Sequence, residues 1–219
     1  MRIIFVRHAE SEGNADGRLQ GHADFGLSDV GRAQAAILRD RLRAEGLQPT
    51  HAYSSPLQRT AETARIVADG WSSSVAHWDD LKEHDIGIFS GLTWAEIDEA
   101  FPNVARRFHE TRDWDIVEKA ETLAQRSARG RRVIDTVIDC HDNDDVIVLF
   151  THGGILSHMV AALMGTDRTW GTSVKNTALF EFTIDLERWP RDGAGRHNTW
   201  LWRVDRFNDA SHLSVSPEP

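Results

Sequence analysis

The sequence is poor in cysteine and lysine and contains no long apolar run. Cys140 is the single cysteine among 219 residues, which excludes an internal disulfide framework and a cysteine-rich zinc site. No stretch of 18 apolar residues occurs, so no segment is a candidate for a membrane-spanning helix. The apolar start at residues 1–6 ends at Arg7, too early for the core of a signal peptide. We therefore expect a soluble, cytoplasmic protein.

Acidic residues outnumber basic ones by 34 to 25, giving a formal net charge of −9. This balance argues against nucleic acid and anionic membranes as partners, because both require a basic surface. Hydrophobic residues make up 40% of the chain, and a chain of this length buries roughly 70% of its unfolded surface. The composition predicts a folded protein with a substantial core. A homodimer is left open as its quaternary state.

Strand and helix patterns alternate along the chain. Apolar, β-branched runs predict strands at residues 2–6, 51–53, 75–78, 146–150, 179–183 and 200–207. Helical patterns run over residues 28–45, 55–69 and 118–141, open again at residue 93, and follow residue 154 as far as Leu163. This order predicts an α/β fold, a three-layer α/β/α arrangement around a mostly parallel sheet. We expect one domain over residues 1–219, with a mainly helical insertion at about 84–120.

Three predicted boundaries depend on particular residues. Ser28 is expected to cap the helix over residues 28–45, and Ser55 with Pro56 is expected to open the next helix. The sequence Thr93-Trp94-Ala95-Glu96 has the spacing of a capping box. The first of these helices is expected to bury one apolar face, formed by Val30, Ala33, Ile37 and Leu38.

Two predicted strands end in histidine motifs. Arg7-His8 follows the first strand, and Thr151-His152-Gly153-Gly154 follows the strand at residues 146–150. Arg59 falls in the first turn of the helix after another strand. Ligands of open α/β sheets bind at the carboxyl ends of the strands, so these groups should meet at one edge. Two imidazoles and two guanidinium groups there would form an anion pocket, and arginine is suited to phosphoryl oxygens.

These motifs resemble those of the histidine phosphatase (phosphoglycerate-mutase-like) superfamily, in order and spacing. The matching segments are Arg7-His8-Ala9-Glu10-Ser11 with Asn14, the run from Ser54 to Ala64, the acid loop from Leu81 to Leu92, and Thr151-His152-Gly153-Gly154. The resemblance implies that His8 is a nucleophile that forms a phosphohistidine. It implies that Arg7, Arg59 and His152 hold the phosphoryl oxygens.

The same resemblance assigns the remaining site residues. Glu83 would protonate the leaving oxygen and then activate water. Asn14, Gln20, Gly21 and Gly153 would add hydrogen bonds to the phosphoryl group or to neighbouring substrate atoms. Neither a metal nor another cofactor is implied, because guanidinium and imidazole groups offset the phosphoryl charge. The expected partner is a small phosphorylated substrate.

The sequence favours a phosphatase over a cofactor-dependent phosphoglycerate mutase. Mutases of the family carry a tyrosine in the acid loop where this chain has Ile86, and a tryptophan before the motif asparagine where it has Gly13. Arg106-Arg107 could imitate the paired arginines of the mutases, but their surroundings differ. Two further departures are Ala9, where a glycine is usual, and residues 119–122, where relatives carry a glycine-rich run.

Two other interpretations remain open at this point, and a third is rejected. His77, Asp79, Asp80, His84 and Asp85 form a local histidine and aspartate cluster that could indicate a metallohydrolase, although no HExxH pattern accompanies it. A catalytically silent phosphate-binding protein of the same fold would be expected to have lost one of its motif residues, and none is lost. A dinucleotide-binding fold is disfavoured because no GxGxxG follows the first strand.

Overall fold

The computed structural model describes residues 1–169, 171, 173–188 and 202–214. Its sheet contains six strands. They are β1 (Arg2–Arg7), β2 (His51–Ser54), β3 (Val75–His77), β4 (Val146–Thr151), β5 (Leu179–Ile184) and β6 (Trp202–Asp209). The α-helices are α1 (Glu12–Ala15), α2 (Asp29–Ala44), α3 (Gln58–Val67), α4 (Trp94–Ala100), α5 (Pro102–Thr111), α6 (Leu123–Cys140) and α7 (Gly153–Leu163).

The sheet has the order β3-β2-β4-β1-β5-β6. Strands β3, β2, β4 and β1 run parallel to one another. At one side of the sheet, β5 pairs antiparallel with β1, and β6 pairs antiparallel with β5. The predicted α/β fold with a mostly parallel sheet is therefore confirmed. Strand β1 lies between β4 and β5, so its carboxyl end is flanked by a neighbouring strand on each side.

Helices cover both faces of the sheet. Ile3 and Phe5 of β1 belong to a buried cluster with residues of α6 and α7, whereas Ile4 and Val6 join residues of α2 and α3 on the other face. Side chains alternate between faces along a strand, so a strand covered on both sides reads as a continuous apolar run. That pattern is why β1 and β4 were identifiable in the sequence, and it confirms the three layers.

Helix α2 begins and ends where predicted, but the expected buried face is wrong. Ser28 caps the helix by accepting a hydrogen bond from Gly31 N. Val30, Ala33 and Ile37 are exposed, whereas Leu38 is buried as expected, together with Gly31, Ala35 and Leu42. Gly31 faces the core because it lies against the backbone of Glu10, where a Cβ atom would overlap the carbonyl group. Glycine does not contribute to a hydrophobic pattern, so the spacing of the apolar residues predicted the wrong buried face for α2.

Two predicted helix starts are also corrected. Helix α3 begins at Gln58, and Ser55 does not cap it. Helix α6 begins at Leu123, behind a capping box formed by Thr122 and Gln125. Residues 118–121 lie alongside residues 85–88 instead, because Ile88 N donates to Glu118 O and Glu121 N donates to Asp85 O. Lys119 has a φ of 64°, a conformation that favours glycine at a position where relatives carry a glycine-rich run.

The segment between β3 and α6 contains helices α4 and α5 and its own apolar cluster. Its buried members are Ile86, Phe89, Ile97, Ala105, Phe108 and Val117. The predicted capping box at Thr93 is present, with Glu96 N donating to Thr93 Oγ1 and Thr93 N donating to Glu96 Oε2. No helix within the described residues has the length and apolar character to cross a membrane. Residues 200 and 201 of the last predicted strand lie outside the described residues.

Candidate active site

The two histidine motifs lie side by side because β1 and β4 are neighbours. Arg7 is paired with Thr151 in the parallel register, so His8 and His152 follow at the same edge of the sheet. His8 N donates to Thr151 O at 3.0 Å, and the centroids of the two imidazole rings are 5.0 Å apart. Both rings are buried. The juxtaposition expected from the strand ends is therefore present.

His8 is held in one tautomer by its own main chain. Its Nδ1 lies 2.7 Å from Ala9 O, and a carbonyl oxygen can only accept, so the proton is on Nδ1 and Nε2 carries the lone pair. Burial, followed by the charges of Arg7 and Arg59, holds the pKa of His8 well below its usual range. The ring is therefore neutral at neutral pH, which is the state that a nucleophile requires.

Three groups fix the backbone around His8. Asn176 Nδ2 donates to His8 O at 3.2 Å and Thr177 N at 3.3 Å, while Ala9 N donates to Thr63 Oγ1 at 3.0 Å. Thr177 has a φ of 54°, which is uncommon for a β-branched residue and costs on the order of 1–3 kcal/mol. The residue with the strained backbone, Thr177, is thus one of those that hold the His8 carbonyl in place.

The two motif arginines are buried and only partly paired. Arg59 Nη2 donates to Gly21 O at 2.8 Å and its Nη1 to Ala23 O at 3.0 Å; Arg7 Nη1 donates to Val174 O. The Nε–H groups of both arginines are buried without an acceptor within the described residues. Burial lowers the pKa of Arg59 to about 10, so the group still carries its charge at neutral pH. Both Nε–H groups can therefore donate to an anion.

His152 is oriented by two hydroxyl groups from the second motif. Its Nε2 lies 2.9 Å from Ser55 Oγ and 3.1 Å from Thr60 Oγ1. Both hydroxyl groups can donate to Nε2, and the ring then carries its proton on Nδ1. That Nδ1 is buried and has no partner in the described part of the chain. It is a further donor beside His8.

Glu83 lies at the amino terminus of α7. Gly154 N donates to Oε2 at 3.0 Å, and Ile155 N and His84 N each donate to Oε1 at 2.9 Å. Burial raises the pKa of Glu83, but the hydrogen bond and charge of His84 and the hydrogen bond from Gly154 N together lower it well below its usual range. Glu83 is thus a carboxylate before substrate binds. Oε1 accepts two amide protons, whereas Oε2 accepts one and keeps a lone pair for proton transfer.

The other predicted contacts are placed as follows. Asn14 Oδ1 accepts from Ser11 N at 3.2 Å and completes the capping box of α1, while Gln20 Oε1 accepts from Ser11 Oγ at 2.8 Å. Gly21 contributes its carbonyl to Arg59. Gly153 begins α7 beside Arg7 Nε, which would lie 3.7 Å from a Cβ atom at that position. Direct contacts of Asn14, Gln20, Gly21 and Gly153 with substrate stay predictions.

The aspartates of the local histidine and aspartate cluster each have a different partner. Asp79 pairs with Lys82, Asp80 pairs with Arg132, and Asp85 Oδ1 accepts from Gly87 N. Among the described residues, no group of three or more histidine, cysteine, aspartate or glutamate side chains could hold a metal ion.

Sequence reasoning missed the residues that support the catalytic groups. Ser55, Thr60 and Thr63 belong to the second motif, and the spacing of Thr63, four residues after Arg59, could have indicated that these two share a helix face. Asn176 and Thr177 lie in no recognisable pattern, so nothing in the sequence indicates that they bind the His8 carbonyl.

Comparison with known proteins agrees with this geometry. The family model of the histidine phosphatase superfamily (branch 1) matches residues 3–192. Phosphoglycerate mutase-like protein 4 of Arabidopsis thaliana is 32% identical over 96% of this chain and 86% of its own length. The metal-independent phosphoserine phosphatase of the same plant is 30% identical over 97% of this chain and 83% of its own.

A similar solved structure is that of the mycobacterial glucosyl-3-phosphoglycerate phosphatase in complex with VO3. It is 26% identical, covers 94% of this chain and 98% of that one, and superposes with a TM-score of 0.75. The family match extends over both histidine motifs, the Arg59 helix and the acid loop. The chain therefore belongs to branch 1 of the histidine phosphatase superfamily.

Proposed function

We propose that the protein hydrolyses phosphate monoesters of small metabolites through a phosphohistidine on His8 Nε2. The observation that carries the proposal is a buried, neutral His8 whose proton lies on Nδ1, beside unpartnered N–H groups of Arg7, Arg59 and His152. Those donors suit the oxygens of a phosphoryl group, and no metal is required to offset its charge. The phosphatase names of related proteins support hydrolysis.

In the first step, the His8 Nε2 lone pair forms a bond to phosphorus while the ester P–O bond breaks. The leaving oxygen takes a proton from Glu83 Oε2. In the second step, a water oxygen attacks phosphorus, its proton passes to Glu83 Oε2, and the N–P bond breaks. Inorganic phosphate leaves and His8 returns to the neutral state. Arg7, Arg59 and His152 donate to the phosphoryl oxygens in both steps, where charge develops.

The proton for the leaving group enters with the substrate. Glu83 is ionised in the free enzyme, and a phosphate monoester has a second pKa of about 6. A monoanionic substrate carries the proton itself, and a dianion placed near Glu83 raises the pKa of that carboxyl by like-charge repulsion. We expect kcat/KM to fall as pH rises above the substrate's second pKa.

Hydrolysis is favoured over phosphoryl transfer to a second substrate. Ile86 stands where mutases carry a tyrosine, and it is buried in the apolar cluster of residues 86–117. If the protein were a mutase, it would rapidly form 2-phosphoglycerate from 3-phosphoglycerate in the presence of a bisphosphoglycerate primer. A phosphatase releases inorganic phosphate instead, so a coupled assay with both readouts separates the two functions.

The decisive experiment combines a substrate panel with trapping of the intermediate. Sugar phosphates, phosphorylated acids, nucleotides and phosphopeptides are incubated with the enzyme, with and without EDTA, and phosphate release is measured. We expect turnover of a small metabolite phosphate that EDTA does not reduce. Quenching in alkali should yield a peptide phosphorylated on His8. Loss of activity in EDTA, or phosphate on another residue, would contradict the proposed mechanism.

Three organisational predictions accompany the proposed function. We infer a single domain over residues 1–219 with the insertion at about 84–120, a cytoplasmic location, and a homodimer as the state to be tested. Limited proteolysis, cell fractionation and light scattering after gel filtration check them in turn. Cleavage into two stable fragments would contradict the single domain.

A further inference from the structure

The segment that carries Glu83 has four consecutive carbonyls bound by side chains from other elements. Arg129 Nη1 donates to Asp80 O at 2.8 Å and to Lys82 O at 2.7 Å. Thr151 Oγ1 donates to Leu81 O at 2.9 Å. Glu83 O lies 2.8 Å from His22 Nε2 and accepts from Arg129 Nη2 at 3.4 Å. Buried carbonyls require such partners, so this irregular segment depends on them for its position.

Arg129 supplies most of these bonds from the middle of α6. Its other donors form a two-point pair with Glu121, with Nε to Oε1 at 2.8 Å and Nη2 to Oε2 at 2.5 Å. The side chains of Arg129 and Glu121 are 11% and 16% exposed. A planar guanidinium with fixed donors is required to bind a carboxylate and three carbonyls together, which a lysine ammonium cannot do. Arg129 thereby joins α6, Glu121 and the Glu83 segment.

We propose that Arg129, held by Glu121, is a positioning residue that sets the location of the Glu83 carboxylate for proton transfer to the leaving group. The proposal rests on the proposed function, because it assigns Glu83 the role of proton donor. A displacement of about 1 Å can cost on the order of 100-fold in rate when it separates reacting groups. Arg129 touches neither substrate nor His8, so its effect should be confined to the step that needs Glu83.

The test is the dependence of kcat/KM on the leaving group. This parameter reports steps up to release of the alcohol, and p-nitrophenolate leaves without a proton whereas an alkoxide needs one. We expect Arg129→Lys to lower kcat/KM for an alkyl phosphate about 10- to 100-fold and for p-nitrophenyl phosphate several-fold less. Arg132→Lys is the matched control, because Arg132 lies one turn further on α6, is exposed, and binds the Asp80 carboxylate and not the carbonyls of the segment; its kinetics should equal wild type.

Glu121→Gln provides a second variant if Arg129→Lys does not fold, with thermal unfolding used to check both. The glutamine amide keeps one acceptor for Arg129 and loses the other. The loss of kcat/KM should therefore again be larger for the alkyl phosphate than for the aryl phosphate, but both losses should be smaller than in Arg129→Lys. An equal loss for alkyl and aryl phosphates, or no loss in either variant, overturns the proposal while leaving the phosphatase assignment intact. A wild-type enzyme that hydrolyses no monoester and forms no phosphohistidine overturns both.

Discussion

The two sides of the active site are built in different ways. The phosphoryl side consists of His8 and His152, which directly follow two adjacent buried strands and are fixed by sheet register. The acid side is an irregular segment whose carbonyls are bound by Arg129, Thr151 and His22. The difference teaches that a regular strand end places the nucleophile, with hydrogen bonds from Asn176 and Thr177 supporting it, whereas the proton donor has no strand to place it and depends on hydrogen bonds from distant parts of the chain.

The electrostatics of the two sides also differ. Burial and two nearby arginines lower the pKa of His8, which keeps the base neutral. Helix α7 and His84 lower the pKa of Glu83 against the effect of burial, which keeps the acid ionised. In the free enzyme, His8 Nε2 and the Glu83 carboxylate therefore both lack a proton. The comparison predicts that changes on the phosphoryl side affect every substrate, and that changes on the acid side affect substrates with poor leaving groups most.

The largest effect is expected for His8→Ala. Removal of the nucleophile should reduce kcat by about 10⁴-fold or more, on the scale found when a covalent hydrolase loses its nucleophile, and it should do so for alkyl and aryl phosphates alike. His77→Ala at the exposed end of β3 is the control and should retain wild-type kinetics. Phosphate release from p-nitrophenyl phosphate measures both, and retained activity in His8→Ala would refute the nucleophile assignment.

Glu83→Gln should lower kcat/KM for an alkyl phosphate by about 10²- to 10⁴-fold, the usual contribution of general acid catalysis. The loss for p-nitrophenyl phosphate should be much smaller, because its leaving group needs no proton. The second step should slow as well, so phosphohistidine accumulates in a rapid-quench experiment. Asp79→Asn, which changes an exposed carboxylate of the same segment, is the control. Equal losses of kcat/KM for the alkyl and the aryl phosphate would contradict the assignment of separate roles to the phosphoryl side and the acid side.

Gly154→Ala should show an intermediate effect confined to the acid side. A Cβ atom at this position would lie 2.5 Å from Glu83 Oε1 and overlap His84 Nδ1, so the carboxylate must move. We expect about a tenfold loss of kcat/KM for alkyl phosphates and less for p-nitrophenyl phosphate. Gly171→Ala, where a Cβ atom would meet nothing within 4 Å, serves as the control. If Gly154→Ala left the leaving-group dependence of kcat/KM unchanged, the amino terminus of α7 would not position the Glu83 carboxylate.

The smallest effect concerns stability on the phosphoryl side. His212 lies between Arg41 and Thr177, where its Nδ1 accepts from Arg41 Nη1 and its Nε2 donates to Thr177 Oγ1. Burial, then the charge of Arg41, lowers the pKa of His212 to about 4. Its pKa in the folded state is below the unfolded value of about 6.5, so its contribution is complete above pH 6.5 and is lost as pH falls towards 4.

His212→Gln should therefore reduce the loss of unfolding free energy between pH 7 and pH 4.5 by about 1–3 kcal/mol. Glutamine can retain both hydrogen bonds because it offers an acceptor and a donor. Urea unfolding at the two pH values measures the difference. His51→Gln changes a half-buried histidine near the other end of the sheet and is the control. An unchanged pH dependence in His212→Gln would contradict the assignment.

Much of the site could be predicted from sequence because its residues occur in contiguous motifs. Arg7 and His8 come directly after an apolar strand, and the helix at Gly153 follows a second strand of the same kind. The start of α3 and the buried face of α2 could not be predicted in this way. Ser55 contacts His152 instead of capping a helix, and Gly31 contacts the Glu10 backbone; both outcomes depend on neighbours distant in sequence.

The supporting contacts were invisible to the sequence for the same reason. Arg129 resembles an ordinary polar residue of a long helix, and in the sequence Glu121 is identifiable only as an acid where relatives carry a glycine-rich run. In the structure Glu121 precedes that helix, and Arg129 binds the acid segment 46 residues earlier in the chain at Glu83. Thr177 and His212 likewise act through a contact 35 residues apart in sequence. A hydrogen bond between such positions follows from topology, which periodicity and motif spacing do not encode.

By itself the sequence determined the α/β class, the order of the strands along the chain and the motif residues that meet at one edge of the sheet. Buried strands and short catalytic motifs depend on residues close together in the chain, so local patterns are enough to identify them. Only the tertiary structure decided the lowered pKa of His8, the ionised state of Glu83 and the dependence of the acid segment on Arg129. Each of these follows from burial and from donors that folding brings together across many residues.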